Sequence, residues 1–442
     1  MIALNLLYLL AGIAALPWIL WRKLSSKRPV AAIRERITGR ICVADCPRDH
    51  CRIWLHGVSV GEVQLLRTLI GELEKQARLQ KQLIDCVLSS STTTGLEVAT
   101  QGHQKEHVFP CPLDFSWAIR KTLDRVRPDL LVLGELELWP NLLRIAEDYG
   151  IPVLVVNGRM SERSYQGYSK APRFVATMLR RISLVLSRSH EDSGRFKTLG
   201  APVVETIGSL KFDSIHGNQH KEELNRLKKI IGIHDDDFVF VAGSTQQPEE
   251  MLAVEVFLQQ QKIHSRLKLV LVPRHIERSH QLADSLAKRL RQPDARHIPM
   301  YYRSALHDQA SPPPEESFIL LVDATGELAA LWGLATVAFV GGSLDGVRGG
   351  QNMLEPAAYG AAICFGPYTR NFQHEVSALL EADAAVVVHN GEELTEFVAQ
   401  CLNDPAFSRV LGGNAKKVIE TNRGGTMLTA KRILEFLPVI SS

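Results

Sequence analysis

Several chemistries are excluded by what this 442-residue chain lacks. It contains no G-x-x-x-x-G-K-[ST], so P-loop phosphoryl transfer is out. No G-x-G-x-x-G follows a first strand, which counts against a dinucleotide dehydrogenase. Cysteine is scarce: seven residues, scattered and odd in number, form no disulfide framework and suit a reducing compartment. An excess of one charge is also missing. Against 51 Lys and Arg stand 48 Asp and Glu, a net charge of +3, so no polyanionic partner such as nucleic acid is implied. Hydrophobic content of 45% and charged content of 22% are globular values, which exclude a disordered, collagen-like or multi-span membrane protein. The length suits two domains of about 200 residues each, and no internal repeat is evident.

One long apolar run is present, at the very start. Met1 to Trp21 is interrupted only by Asn5, Gly12 and Pro17, and Arg22, Lys23, Lys27, Arg28, Arg34 and Arg36 follow against one acid, Glu35. About 20 apolar residues can cross a bilayer as a helix. With no basic residue before the run and no small-x-small site before Pro17, a cleaved signal peptide is not expected. The basic cluster on the C-terminal side puts the rest of the chain in the cytoplasm, and Trp18 and Trp21 fit an interfacial belt. Pro17 leaves open a helix lying in the interface. Residues 1–21 are therefore read as a membrane anchor and 22–50 as a basic juxtamembrane segment.

From Ile53 onward short apolar runs alternate with amphipathic stretches, the pattern of βαβ units around a parallel sheet. Strand candidates in the first half are Ile53–Gly57, Leu83–Ser89, the HVFPC segment, Asp129–Gly134, Pro152–Gly158 and Leu184–Ser189. In the second half they are Phe238–Ser244, Lys268–Pro273, Phe318–Asp323, Val337–Ser343, Ala361–Pro367 and Ala384–Asn390. The resulting expectation is an α/β protein with two Rossmann-like, doubly wound domains, 51–215 and 238–420, joined by a polar linker at 216–237 and facing across a cleft. Ligands in such sheets bind at the carboxyl ends of strands.

The turns after the strands therefore carry the candidate chemistry. HGVSVGE, His56 to Glu62, contains Gly57-x-Ser59-x-Gly61, a formal nucleophile elbow. It follows the first strand of its domain and no HGGG segment precedes it, so a hydrolase is disfavoured. The alternative makes Glu62 a general base, and the structural reading makes it a first-turn acid favoured by the helix dipole. GELELWPNL places Glu135 and Glu137 with the same side-chain parity, able to face one cleft and raise one another's pKa with Glu62. Capping of the following helix is the plainer role for Glu137. Arg159 and Arg163 could meet an anion or pair with these acids, and Lys211 in GSLKFD is either a cleft cation or a surface charge.

In the second half, Arg274 of VPRH is suited to phosphate. Gly341 to Pro356 is a glycine-rich loop entering a helix near Met353, where backbone N–H groups could hold phosphate and Glu355 could accept ribose hydroxyls. Glycine loop, helix start and early Glu together suggest a nucleotide-sugar glycosyltransferase. The DxD-like His234-Asp235-Asp236-Asp237 precedes a strand and reads as solvated linker. Cys42, Cys46, His50, Cys51 and His56 match no zinc spacing, so no metal and no other cofactor is expected.

HGVSVGE, LGELELWPNL, NGRMSERSYQGY, GSLKFD, LVPRHIER, TGEL, AFVGGSL and RGGQNMLEP occur in that order. So arranged, they resemble the bacterial 3-deoxy-D-manno-octulosonic acid (Kdo) transferases of lipopolysaccharide assembly. The resemblance implies a GT-B fold whose C-terminal helix, 421–442, crosses back to the N-terminal acceptor domain. It implies inverting transfer of Kdo from a CMP-Kdo donor to the lipid A precursor at the cytoplasmic leaflet of the inner membrane. Glu62 matches the family's catalytic base, and Glu135 and Lys211 match groups thought to stabilise the transition state. Pro273, Arg274, Thr325, Gly326, Glu327, Asn352, Met353, Leu354 and Glu355 match the CMP-binding segments. The chain departs from the usual pattern at Gln351 and Met353, where His and Pro are common, at Gln246 and Gln247, where His-Glu is common, and at Leu136, where Thr is frequent.

Overall fold

The computed structural model describes residues 2, 4–10, 32–101, 104–215, 221–307, 313 and 316–438. Contacts divide the chain into two units, Met1–Ser214 with Arg423–Ser442, and Ile215–Asn422. Among the described residues each unit is built on one seven-stranded sheet, parallel throughout.

The first sheet holds β1 (Cys51–Gly57), β2 (Ile84–Ser90), β3 (Val108–Pro110), β4 (Leu130–Gly134), β5 (Val153–Gly158), β6 (Leu184–Ser187) and β7 (Val204–Thr206). Its order is β3-β2-β1-β4-β5-β6-β7. The chain runs outward to one edge, returns to the middle and runs outward to the other, so β1 and β4 border the point where the direction reverses. Helices cover both faces, which is why the central strands are buried along their whole length, as CRIWLHG is in β1. Trp54 and Ile119 belong to the core on one face, and Ile53, Leu66 and Leu210 to the core on the other.

The second sheet holds β8 (Phe238–Thr245), β9 (Leu267–Pro273), β10 (Met300–Tyr302), β11 (Phe318–Leu321), β12 (Val337–Val340), β13 (Ala362–Phe365) and β14 (Ala385–Val387), in the order β10-β11-β9-β8-β12-β13-β14. Its reversal lies between β8 and β12. The alternation of runs in the sequence thus corresponds to two parallel-sheet α/β domains, consistent with GT-B.

Within the segment read as a linker, the charged run 221–229, a candidate helix by its sequence, is helical. Residues 216–220 lie outside the described residues, but Lys221–Ile231 is a helix that buries Leu227, Ile230 and Ile231 in the second unit. Its charged residues are the solvated face of an amphipathic helix. The C-terminal helix Gly425–Leu434 clusters with the first unit and packs on the helix Val60–Leu79. Asp213 secures it by accepting hydrogen bonds from the Gly424 (2.7 Å) and Thr426 (2.6 Å) amides.

Most of the apolar run Met1–Trp21 lies outside the described residues, as does most of the basic cluster after it. Among the described residues no helix is long and apolar enough to cross a membrane. Residues 4–10 are helical and dock through their polar side chains. The Asn5 amide donates to Ser116 Oγ (2.6 Å), and the Tyr8 hydroxyl donates to Asp114 (3.0 Å). Ile2, Leu6, Leu7, Leu9 and Leu10 remain exposed.

Candidate active site

Both topological reversals bring candidate residues together. In the first unit the helix Val60–Leu79 starts pressed against the ends of β1 and β4. A Cβ on Gly57 would stand 3.2 Å from the Glu62 Cβ, and one on Gly134 would stand 3.2 Å from the His56 carbonyl. These two glycines therefore let Glu62 sit at the strand ends. Ser59 caps the helix by accepting from the Glu62 amide (3.3 Å). The Ser59 hydroxyl in turn donates to Glu62 Oε1 (2.7 Å), and the Val58 N–H donates to Oε2 (2.7 Å). In place of a hydrolase's nucleophile, Ser59 is a cap and a partner of Glu62.

Each Glu62 oxygen holds one donor and keeps a lone pair. Burial raises the Glu62 pKa and the charge of Glu135 adds to this, while the Val58 and Ser59 donors oppose it. Glu135 directly follows β4 and sits at φ +58°, a left-handed conformation uncommon outside glycine. Its N–H donates to the Val156 carbonyl (2.9 Å), which holds that geometry.

Glu137 is the third carboxylate of this group. Burial pushes its pKa up to about 7, the Trp139 indole N–H opposes, and the charges of Glu62 and Glu135 add to the rise. Desolvation is the larger cause for both Glu62 and Glu137, ahead of the mutual repulsion expected from the sequence. Glu137 does not cap the next helix, Pro140–Asp148. Its carboxylate accepts from Trp139 Nε1 (2.6 Å), and the cap comes from Asp114, which accepts from the Asn141 (3.0 Å) and Leu142 (2.8 Å) amides. Tyr168 adjoins the group, its pKa raised by burial and by the charge of Glu137. Arg159 is half-buried and Arg163 exposed.

Lys211 comes from the other side of the reversal, on the 3-10 turn Leu210–Phe212 after β7. The turn is tied to the end of β5, where Asn157 Oδ1 accepts from the Leu210 amide (3.2 Å).

In the second unit Gly243 of β8 is a close approach that only glycine allows, because a Cβ there would lie 2.4 Å from the Trp332 ring. The indole donates to Glu355 Oε2 (3.2 Å), and Asn352 Nδ2 donates to Glu355 Oε1 (3.1 Å). Asn352 Oδ1 accepts from the Leu354 amide (3.2 Å), so Asn352 joins the loop to the helix Leu354–Tyr359. Burial raises the Glu355 pKa, while Asn352, Trp332 and the charge of Arg274 oppose it. Arg274 is thus close to Glu355, and its amide donates to the Thr245 carbonyl (2.9 Å) as Pro273 ends β9. Met353 and Leu354 are fully buried, backbone included, and the Leu354 amide is already taken by Asn352, so neither offers a surface to a ligand here. Thr325 and Gly326 form an exposed turn after β11, and Glu327 accepts from Arg303 Nη2 (2.9 Å). Among the described residues no cluster of three or more His, Cys, Asp or Glu side chains is placed to hold a metal ion.

Comparison with known proteins identifies the lineage of this arrangement. The family model for 3-deoxy-D-manno-octulosonic-acid transferase (kdotransferase) matches residues 31–214. The 3-deoxy-D-manno-octulosonic acid transferase of Haemophilus influenzae is 30% identical over 400 residues, covering 89% of this chain and 88% of that protein. The chain belongs to the Kdo transferase family. It is accordingly an enzyme, a glycosyltransferase of the Kdo-transferring kind.

A bifunctional glycosyltransferase/methyltransferase of Fusobacterium nucleatum is 33% identical over 365 residues, 81% of this chain; the chain spans about half of that relative, 53% of its length. The fold also matches UDP-GlcNAc 2-epimerase from Neisseria meningitidis, with TM-score 0.56 and 13% identity over 87% of this chain and 99% of that one. That likeness concerns architecture alone. In this Kdo transferase family member, sequence reasoning passed over Trp332, Tyr168 and Asp114. Each meets its partner from an element distant in the chain, and no local motif advertises the pairing.

Proposed function

We propose that the chain moves Kdo from CMP-Kdo to the lipid A precursor with inversion, using Glu62 as general base. The observation that supports this most directly is the Glu62 carboxylate: desolvated beside Glu135 and Glu137, held by two donors and still able to accept a proton. Glu62 takes the proton of a sugar hydroxyl on the acceptor. The freed oxygen attacks the anomeric carbon of Kdo, the bond to the phosphate oxygen breaks, and CMP leaves with the electron pair. The raised pKa strengthens Glu62 as a base.

The second unit holds the donor. Glu355 retains acceptor capacity for the ribose hydroxyls beyond its bonds to Trp332 and Asn352. Arg274 meets the single phosphate, and Pro273, Thr325, Gly326, Glu327 and Asn352 complete the CMP site, with the buried Met353 and Leu354 supporting Asn352 and Glu355 from within. Lys211 and Glu135 stabilise charge at the reacting centre, on the principle that preorganised charges lower a barrier without reorganising. With one phosphate on the leaving group, Arg274 and Lys211 supply the neutralisation without a bridging metal. The apolar run Met1–Trp21 and its basic collar hold the enzyme at the cytoplasmic face of the inner membrane, beside an anionic lipid acceptor.

The test is turnover by detergent-solubilised protein with CMP-Kdo generated in situ and tetra-acylated lipid A precursor, run beside Glu62→Ala. Products heavier by whole Kdo units, lost in the variant, are expected, and their mass ladder counts the transfers. Folded wild-type protein that turns over no CMP-Kdo, or that binds UDP in preference to CMP, would refute the reading.

A further inference from the structure

Beneath the glycine-rich loop of the second unit lies a carboxylate that the proposed chemistry does not use. Glu249 opens the helix Glu249–Gln260 after β8 and is only 2% exposed. Its Oε2 accepts from the amides of Gln246 (3.0 Å) and Gly342 (2.7 Å). Its Oε1 accepts from the amides of Ser343 (3.0 Å) and Leu344 (3.2 Å). Three successive N–H groups of the loop after β12 therefore converge on one side chain, in the concave arrangement that binds anions. The sequence alone suggested such loop amides for phosphate, but those of residues 342–344 are already satisfied from within the protein.

The rest of the loop depends on that capture. Gly341 has no room for a side chain, since a Cβ would lie 2.6 Å from Thr245 Cα and 2.8 Å from Glu249 Oε2. The Gly350 amide returns to the Gly342 carbonyl (2.8 Å), closing the loop immediately before Gln351 and Asn352. On its other side, Gly342 faces two amide side chains. The position of its missing Cβ is 3.2 Å from Gln351 Nε2 and 3.6 Å from Gln246 Nε2. Gln246 and Gln351, two of the positions at which this chain departs from the resemblance, therefore meet at the residue that Glu249 holds.

We propose that Glu249 is a positioning residue for the donor: a built-in anion that presets the 341–350 loop and, through it, Gln351, Asn352 and Glu355. This rests on the reading of the second unit as the CMP site. Glu249 itself touches no substrate. Its four donors fill the lone-pair positions of a carboxylate, so no proton transfer is assigned to it. Removing it leaves buried N–H groups unsatisfied, and the loop relaxes to hydrate them.

The experiment uses the full-length chain in detergent with Glu249→Ala, Glu249→Gln and wild type. Acetate is the probe, because it reproduces the methylene and carboxylate that alanine removes. Hydrogen exchange of peptides covering 341–350 reads the loop directly, and CMP titration reads the donor site. In Glu249→Ala the loop amides should lose protection and CMP affinity should fall about 10- to 100-fold, as for loss of several buried hydrogen bonds. Millimolar acetate should restore both in part. Glu249→Gln keeps the volume but turns an N–H₂ toward N–H donors, so it should lose affinity without recovering in acetate. Unchanged exchange in folded Glu249→Ala would overturn the proposal, as would exposed loop amides with undiminished CMP affinity, or a loss that acetate leaves untouched in a variant whose thermal unfolding matches wild type. Wild-type protein that binds no CMP would instead overturn the donor reading, and the exchange arm would still decide whether Glu249 sets the loop.

Discussion

Glu62 and Glu249 occupy corresponding places in the two units. Each stands in the first turn of the helix that follows the first strand of its sheet, beside the strand at which the topology reverses. Their surroundings make them different reagents. Glu62 has two donors, one from backbone and one from Ser59, and desolvation raises its pKa. Glu249 has four backbone donors and lies deeper. A carboxylate with lone pairs to spare can take a proton; one whose lone pairs are filled serves as a structural anion. Side-chain identity and position relative to the strand do not separate these roles, whereas the count of donors does.

The largest test of that contrast is Glu62→Gln. Loss of a positioned base should lower kcat by about 10²–10⁴-fold while CMP affinity stays at the wild-type value. If CMP binding fell in step with kcat, Glu62 would resemble Glu249 and the contrast would fail. Next in size, Arg274→Ala should weaken CMP binding by about 10- to 100-fold, the scale of a charge-assisted hydrogen bond. Titration with CMP and with cytidine would localise the effect, since cytidine lacks the phosphate and should bind both proteins alike.

Gly243→Ala sharpens the comparison from the packing side. The new methyl would meet the Trp332 ring, and overpacking should cost about 1–3 kcal/mol in urea unfolding. CMP affinity should fall with it, because Trp332 steadies Glu355. The last effect, visible only as a dependence on pH, is at Glu137. Its pKa is raised from the ordinary 4.5 to about 7, so over that window the folded state binds the extra proton and stability falls as pH rises. Glu137→Gln removes this loss and can still accept from Trp139. The melting temperature of the variant should therefore gain on wild type between about pH 5 and about pH 8. A constant difference across that range would mean that the carboxyl titrates normally.

Much of this was legible in the chain. The central strands are long, continuous apolar runs, and a strand buried on both faces must be one. The two strands that escaped notice, β7 and β10, are three-residue edge strands whose side chains reach only partial burial or solvent, so no apolar run marks them. Glu62 was readable as a first-turn acid because it is close in sequence to the helix start, whereas Ser59, met in the sequence only as the serine of a formal elbow, proved to be the cap. The helix Pro140–Asp148 was found for its pattern, but its cap, Asp114, comes from 26 residues upstream of Pro140 and was not.

By itself the sequence determined the two α/β units, the turns that carry the candidate residues and the ordered motifs of a Kdo transferase, all of which depend on local periodicity and spacing. Only the tertiary structure decided that β1 lies beside β4 and β8 beside β12, that Glu137 is desolvated next to Glu62, and that Glu249 consumes the first amides of the glycine loop. Those outcomes depend on which distant backbone groups and apolar side chains arrive at a carboxylate. Burial and donor number set its chemistry, and both are properties of packing rather than of the neighbouring residues in the chain.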